Sequence, residues 1–306
     1  MPIVKANGLD IEVETHGPEN GPAVLLIMGL AAQLTFWPRD LVKHLADEGY
    51  RVIAFDNRDI GLTEKLHTKR APKPTLFALL SRLPAGRALA PYTLLDMAKD
   101  SAGVLDALGI DDAHVVGVSM GGMIGQILAA THPTRVKSLT AIMTSTNTAS
   151  LPKADPSILK EIFAIRTRPR TRDELIDRTV GLWDMIGTKD SGNDPEQFRE
   201  RIAASVDRCT YPAGIRRQIA AIIATGDLRK FAKKIEKPTL VIHGSADPLV
   251  PVQGGLDVAA QVRNARMEIL DGMGHDLPPR HLNEIMDLLT EHFASVEDDA
   301  SSTQAA

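Results

Sequence analysis

Seven short apolar runs punctuate this chain, and what lies between most of them has the spacing of amphipathic helices. The runs are Leu9 to Thr15, Ala23 to Met28, Arg51 to Phe55, Ala113 to Val118, Val136 to Met143, Pro238 to His243 and Arg266 to Leu270. The central ones are apolar at nearly every position rather than at every second one. A strand of that kind must be buried on both faces, which requires a mostly parallel sheet with helices on either side. The expected fold class is therefore α/β.

The intervening helices carry their own stop and start signals. Pro38 at a first-turn position and Gly49 just past the end bracket a helix from Pro38 to Glu48. Thr93 with Asp96 three residues on forms an N-terminal capping pair, and Leu94, Met97, Ala98, Val104, Leu105 and Leu108 recur at helical spacing before Gly109. Two segments interrupt the alternation. From Leu66 to Pro91, four prolines surround a short amphipathic stretch, Leu76 to Leu83. From about Thr146 to Glu236 strand patterns vanish, and helices are expected over Ile158 to Ile165, Arg172 to Trp183, Pro195 to Val206 and Ala213 to Ala224. The expected organisation is a core formed by residues 1–145 and 237–294, a helical insertion at 146–236 and a small, polar, acidic tail at 295–306 that reads as disordered.

Composition excludes several classes of function. With 306 residues, 43% of them hydrophobic, the chain is large enough to bury a core, and a formal net charge of -4 with scattered Lys and Arg argues against a nucleic-acid binder. The run Arg166, Arg168, Arg170 and Arg172 reads as a solvated face rather than an anion site. No run of about 18 apolar residues offers a membrane span. The single cysteine, Cys209, rules out an internal disulfide and fits a cytoplasmic, reducing setting. It reads as a bland thiol. No His, Asp, Glu and Cys spacing implies a metal, and no cofactor is expected.

The chemistry is carried by "GVSMG", residues 117 to 121, which matches G-x-S-x-G. At background frequencies of about 7% for glycine and similar for serine, that pattern arises by chance in roughly one chain of this length in ten. Context raises its value: an apolar strand precedes it and a helical pattern, Met120 to Thr131, follows. In such a strand-to-helix turn the serine is strained and its neighbours two residues away must be almost free of side chain. The phosphate-cradling alternatives lack their G-x-G-x-x-G or G-x-x-x-x-G-K spacing.

A serine hydroxyl needs a base, and the base needs an orienting acid. In the order Ser, acid, His, each at the carboxyl end of a strand, His275 in "DGMGHDLP" and Asp247 in "HGSADPLVP" are the partners of Ser119. His243 precedes the acid turn, His281 and His292 belong to the terminal helix, and the remaining histidines lie upstream. Asp276 adjoins the base in sequence and Asp271 ends the last strand, so neither is as well placed as Asp247 to hold the far side of the imidazole. Backbone N–H groups of Met120, directly after the nucleophile, and Leu30, after the strand ending at Met28, are the expected oxyanion donors.

With these residues assigned, "LLIMGL", "FDNRDIGLT", "HVVGVSMGGMIGQ", "PTLVIHGSADPLVP" and "GMGHDLP" resemble, in this order, the α/β-hydrolase superfamily, and within it a bacterial carboxylesterase group that includes the aclacinomycin methylesterases. The resemblance implies an α/β-hydrolase fold with a mostly parallel eight-stranded sheet and a helical cap at 146–236. It aligns Ser119, Asp247 and His275 with the family's triad and Leu30 and Met120 with its oxyanion hole. Asp56, Arg58, Asp59 and Gly61 match a family loop read as structural. Where many members have His-Gly, this chain has Met28-Gly29. Met28, Trp37, Leu182, Trp183 and Met185 are candidate pocket residues.

The expected function is serine carboxylesterase, acting on small to medium apolar esters as small-molecule substrates. Lactone, C–C and perhydrolytic chemistry use the same residues. Dehalogenase and epoxide hydrolase activity is disfavoured, because those relatives carry Asp at the elbow. A small-molecule receptor is the alternative from another class, and the intact Ser, Asp, His order argues against it.

Overall fold

The computed structural model describes residues 2–70, 77, 84–163 and 171–304. Its first half runs β1 (Ile3–Ala6), β2 (Leu9–His16), β3 (Ala23–Ile27), α1 (Arg39–Asp47), β4 (Arg51–Phe55), α2 (Pro84–Arg87), α3 (Leu94–Ala107), β5 (Ala113–Val118), α4 (Met120–Thr131) and β6 (Val136–Ile142). The second half runs α5 (Pro156–Phe163), α6 (Arg172–Ile186), α7 (Pro195–Arg208), α8 (Pro212–Thr225), α9 (Arg229–Ala232), β7 (Thr239–Gly244), α10 (Gln253–Gln261), β8 (Arg266–Leu270) and α11 (Pro279–Gln304). The strands form one eight-stranded sheet in the order β1-β2-β4-β3-β5-β6-β7-β8. β2 pairs antiparallel with β1 and β4, and the remaining pairs are parallel.

Alternate residues of one strand feed two different cores, which is why the strands are apolar throughout. Leu25, Ile27, Ile53, Phe55 and Val115 face α3 and α4, meeting Leu94, Met97, Leu105, Ile124 and Ile127. Val24, Leu26, Val52, Ala54 and Val116 face the other way, onto Leu41 and Leu45 of α1 and Ile285, Leu289 and Phe293 of α11. Each such side chain, fully removed from water, contributes on the order of 1.5–3 kcal/mol. The caps form as the sequence implies. The Thr93 N–H donates to Asp96 Oδ2 at 2.8 Å, and Gly49 takes φ +90° just after α1.

Two expectations need amendment. β1 was not among the expected strands, although Asn7-Gly8 announces it. Both residues have positive φ, 48° and 79°, and Ala6 pairs with Leu9 across a two-residue turn. The segment 295–306, read as a disordered tail, instead continues α11 as far as Gln304. Glu297 explains why, since its Oε1 accepts from Lys137 Nζ at 2.7 Å and lies 3.0 Å from Nε2 of the buried His114. The expected helix over Leu76 to Leu83 lies outside the described residues apart from Phe77, as do Arg166, Arg168 and Arg170. Arg172 is at the surface, paired with both oxygens of Asp207 at 2.6 and 2.7 Å.

Strand order reverses beside β3, which lies between β4 and β5. In open parallel sheets the loops diverging at such a point leave a crevice at the carboxyl ends of the strands. The loops after β3, β5, β7 and β8 all end on that side.

Candidate active site

Ser119 sits between β5 and α4 with φ 54° and ψ -118°, a conformation that costs a residue with a Cβ of order 1–3 kcal/mol. Its surroundings hold it there. The Ser119 N–H donates to Ile142 O at 2.9 Å, and Ser119 O accepts from Thr144 Oγ1 at 2.7 Å and Met123 N at 3.2 Å. The flanking glycines are needed for space. A Cβ on Gly117 would lie 2.3 Å from Gly121 O, and one on Gly121 would lie 1.9 Å from Ile27 O.

Three side chains form a hydrogen-bonded chain. Ser119 Oγ lies 3.0 Å from His275 Nε2, and His275 Nδ1 lies 2.7 Å from Asp247 Oδ2. Both His275 and Asp247 are buried. Asp247 Oδ1 accepts from the N–H groups of Leu249 at 2.9 Å and Val250 at 2.8 Å, so the turn after β7 fixes the carboxylate. Burial alone would push its pKa up. His275, His243 and the Val250 N–H outweigh burial and hold it well below the usual carboxylate range. An ionised Asp247 keeps the imidazole proton on Nδ1 and turns the Nε2 lone pair toward Ser119, the arrangement a general base needs.

His243 has a supporting position. Its Nε2–H donates to Val250 O at 2.7 Å and lies 3.4 Å from Asp247 Oδ2. The base loop is pinned from the opposite side, because the His275 N–H donates to Ile186 O at 2.7 Å, at the end of α6. Asp276 faces away from this chain of bonds. Its Oδ1 accepts from the N–H of Thr188 at 3.0 Å and from the hydroxyl of the same residue at 2.5 Å.

Two backbone N–H groups adjoin Ser119. Met120 occupies the first position of α4, where an N–H has no intrahelical acceptor. Leu30 follows Gly29, whose Cβ, if present, would lie 3.2 Å from Ser119 Cβ. The loop carrying Leu30 is fixed by Asn57 Nδ2 donating to Met28 O at 2.9 Å, Ala31 N–H donating to Gln218 Oε1 at 3.0 Å and Leu34 N–H donating to Asp56 Oδ1 at 2.7 Å. Asn57 and Gln218 were not singled out in the sequence, and no spacing signal relates them to residues 28–34.

The loop after β4 ties the sheet to the inserted helices. Asp56 Oδ2 accepts from Arg208 Nη1 of α7 at 2.7 Å, and Asp59 holds Arg217 of α8 through contacts of 2.6 and 2.8 Å. Arg58 turns instead to Asp100 of α3, at 2.5 and 2.6 Å. Gly61 is required because a Cβ there would overlap the Asp56 carboxylate.

Above Ser119 and His275 opens a cavity of about 740 Å³, lined mainly by apolar side chains. Of the five candidate pocket residues Met28, Leu182 and Trp183 line it, and so do Leu30 and Met120, expected as backbone donors. Trp37 and Met185 are not among the described lining residues. Trp37 packs instead with Leu34 and Leu41 in the core, and Met185 is half-buried on α6 next to lining residues Trp183 and Ile186. The half-buried Cys209 also reaches the cavity wall, as do Phe36, Phe198 and Arg201.

Among the described residues no helix is long and apolar enough to cross a membrane. Known proteins are similar to this chain over most of its length. The chain is 28% identical over 281 residues to the rhodomycin D methylesterase DauP of Streptomyces sp. (strain C5), covering 85% of this chain and 87% of that protein. It is 34% identical over 277 residues to a putative carbamate hydrolase, RutD, of Azorhizobium caulinodans, covering 90% and 91%. The enol-lactonase of Burkholderia xenovorans LB400 superposes with a TM-score of 0.74 at 24% identity, covering 96% of this chain and all of that one. Residues 22–281 match the family model for the alpha/beta hydrolase fold, and the chain belongs to that family.

Proposed function

We propose that this protein is a serine carboxylesterase acting on small to medium esters with a largely apolar body. The observation that carries the reading is the Ser119–His275–Asp247 chain at 3.0 and 2.7 Å, opening onto an apolar cavity. The likeness to rhodomycin D methylesterases supports ester hydrolysis in particular. We take residues 146–236 as a helical cap over the site, and the single cysteine favours a cytoplasmic setting.

In this mechanism Ser119 Oγ attacks the ester carbonyl while its proton passes to His275 Nε2. The carbonyl oxygen gains negative charge and accepts from the Met120 and Leu30 N–H groups, which is usually the largest single contribution to the rate. The tetrahedral intermediate collapses, and the C–O bond to the alcohol breaks as His275 Nε2–H protonates the departing oxygen. An acyl group is left on Ser119. Water then attacks that acyl carbonyl, giving a proton to His275, and the carboxylic acid leaves as Ser119 regains its proton. Asp247 stays ionised throughout and stabilises the imidazolium.

The test is turnover of a neutral chromogenic short-chain ester together with labelling by a covalent serine probe. Ser119→Ala should lose both, and His275→Ala should lose rapid labelling at Ser119. An unlabelled, inactive wild-type protein that still binds small ligands tightly would favour a receptor instead.

A further inference from the structure

Arg201 projects from α7 into the cavity wall without a polar partner. Its Nε is buried and makes no hydrogen bond, and among the described residues the side chain has no ion pair within 4.0 Å. What surrounds it is aromatic. The guanidinium carbon lies 5.1 Å from the centre of the Phe198 ring and 6.0 Å from that of Phe36, and Trp183 stacks on Phe36 at 5.6 Å. Rings of this kind stabilise a cation through their faces but give Nε–H no in-plane acceptor. Burial works against the charge and lowers the Arg201 pKa, with Asp276 opposing.

The other charged groups at the wall do not complete Arg201. Glu161 is engaged with Arg178, whose Nη2 lies 3.3 Å from Glu161 O and 3.9 Å from its carboxylate. Asp276 acts on Arg201 only through space, since its Oδ1 is held by both donors of Thr188 and burial pushes its own pKa up. Lys153, also at the wall, is exposed and adds a further positive charge. The cavity therefore has a surplus of positive charge at Arg201. Arg201 is half-buried with its Nε shut off from water, and such an incompletely paired cation is costly unless a ligand supplies the counter-charge.

We propose that Arg201 is a substrate-binding residue, and that the natural substrate is an ester whose apolar body carries a carboxylate apart from the scissile bond. The guanidinium fork matches a carboxylate in a two-point contact that an ammonium cannot reproduce. The Phe36, Trp183 and Phe198 rings pack on the apolar part beside it. This deepens the esterase reading and rests on it for the word substrate, but the anion subsite can be tested without turnover.

The binding arm uses unreactive N-phenyl half-amides of straight dicarboxylic acids of four to eight carbons, each paired with its neutral diamide. Isothermal titration of the full-length protein should show at least one chain length at which the acid binds tenfold or more tightly than the diamide. Arg201→Gln should remove that preference, and Arg201→Lys should restore only part of it. The turnover arm compares 4-nitrophenyl half-esters of the same acids with their neutral methyl diesters, where Arg201→Gln should lower the acid-to-neutral ratio of kcat/KM tenfold or more. A wild-type protein with no preference for the acid at any length overturns the subsite, as does a preference that survives Arg201→Gln. Should Arg201→Gln fail to fold, the wild-type comparison alone decides. Preference for the acid without hydrolysis of any ester would uphold the subsite and overturn the esterase reading; neutral-ester hydrolysis with no preference would do the reverse.

Discussion

Asp247→Asn isolates one link of the site, because the structure dictates how the new amide must turn. Asp247 Oδ1 takes two backbone donors, from Leu249 and Val250, while Oδ2 faces His275 Nδ1. An amide nitrogen at the Oδ1 position would meet two N–H groups and lose two hydrogen bonds, each worth about 1 kcal/mol and more where the donors are left buried. The oxygen therefore keeps the Oδ1 position and the NH2 group replaces Oδ2. His243 Nε2–H, 3.4 Å from Oδ2 and already bonded to Val250 O, exerts too weak a pull to reverse this. Facing an amide donor, His275 can bond only as an acceptor at Nδ1, which moves its proton to Nε2. The base then presents N–H to Ser119 Oγ, where it should present a lone pair. Triads trapped in the wrong tautomer lose roughly 10⁴ in kcat, about 5 kcal/mol at 1.36 kcal/mol per tenfold. The assay is steady-state hydrolysis of a neutral chromogenic ester near pH 7.5, with unfolding by urea as the control for folding. We expect kcat to fall by about 10³ to 10⁴ with KM changed little. An Asp247→Asn enzyme that folds and retains kcat within tenfold of wild type would refute the tautomer argument.

Gly121→Ala should cost about 3 kcal/mol and displace the serine turn, because its Cβ would lie 1.9 Å from Ile27 O, a backbone atom that cannot yield; urea unfolding and ester turnover should fall together. Arg217→Met should cost about 3–5 kcal/mol by leaving the fully buried Asp59 carboxylate without its partner, and a loss under 1 kcal/mol in urea would contradict that pairing. His114 is fully buried, and burial pulls its pKa down to about 4. A depressed histidine value means the folded state favours the neutral ring, so its contribution is complete above about pH 6.5 and is lost as pH falls from there toward 4, by at most about 1.4 kcal/mol per unit. His114→Gln should narrow the stability gap between pH 7 and pH 5 measured in urea, and an unchanged gap would count against this assignment.

The parts of this protein that were legible in its sequence are those encoded by neighbours. Ser119 could be found because strand, turn and helix follow one another within twenty residues, and His275 and Asp247 because each closes a strand in a fixed chain order. Asn7-Gly8 held a local signal of the same strength for the β1 hairpin, which strand patterns alone overlooked because Ile3–Ala6 is short and mostly exposed. Trp37 and Met185 went astray for another reason. Hydrophobicity says that a side chain is buried but not against what, and a tryptophan near a pocket loop looks the same whether it faces ligand or core. Gln218, Asn57 and the surroundings of Arg201 were illegible because they arise only when segments distant in sequence meet: Gln218 touches Ala31 across 187 positions. Even the acidic tail was misjudged through a distant contact, that of Glu297 with Lys137 and His114.

Those distant contacts also restrict how specificity can vary in this protein. The base loop meets the end of α6 and the residues just after it through the main chain of the loop: His275 N–H bonds to Ile186 O, Gly274 N–H bonds to the Thr188 hydroxyl oxygen at 2.8 Å, and a Cβ on Gly274 would lie 2.5 Å from the Gly187 carbonyl carbon. On the opposite side Gln33 Nε2 donates to Ser205 O at 2.7 Å, and Arg208 and Arg217 grip Asp56 and Asp59. A rigid shift of α6 or α7 would therefore pull on the base at one end and on the Leu30 loop at the other. Side chains that point from these helices into the cavity carry no such burden. On the proposed esterase reading, substitution at Leu182, Trp183 or Arg201 should reshape what enters while leaving the Ser119 to His275 distance intact, which makes these the positions where specificity can be changed at least cost to the site.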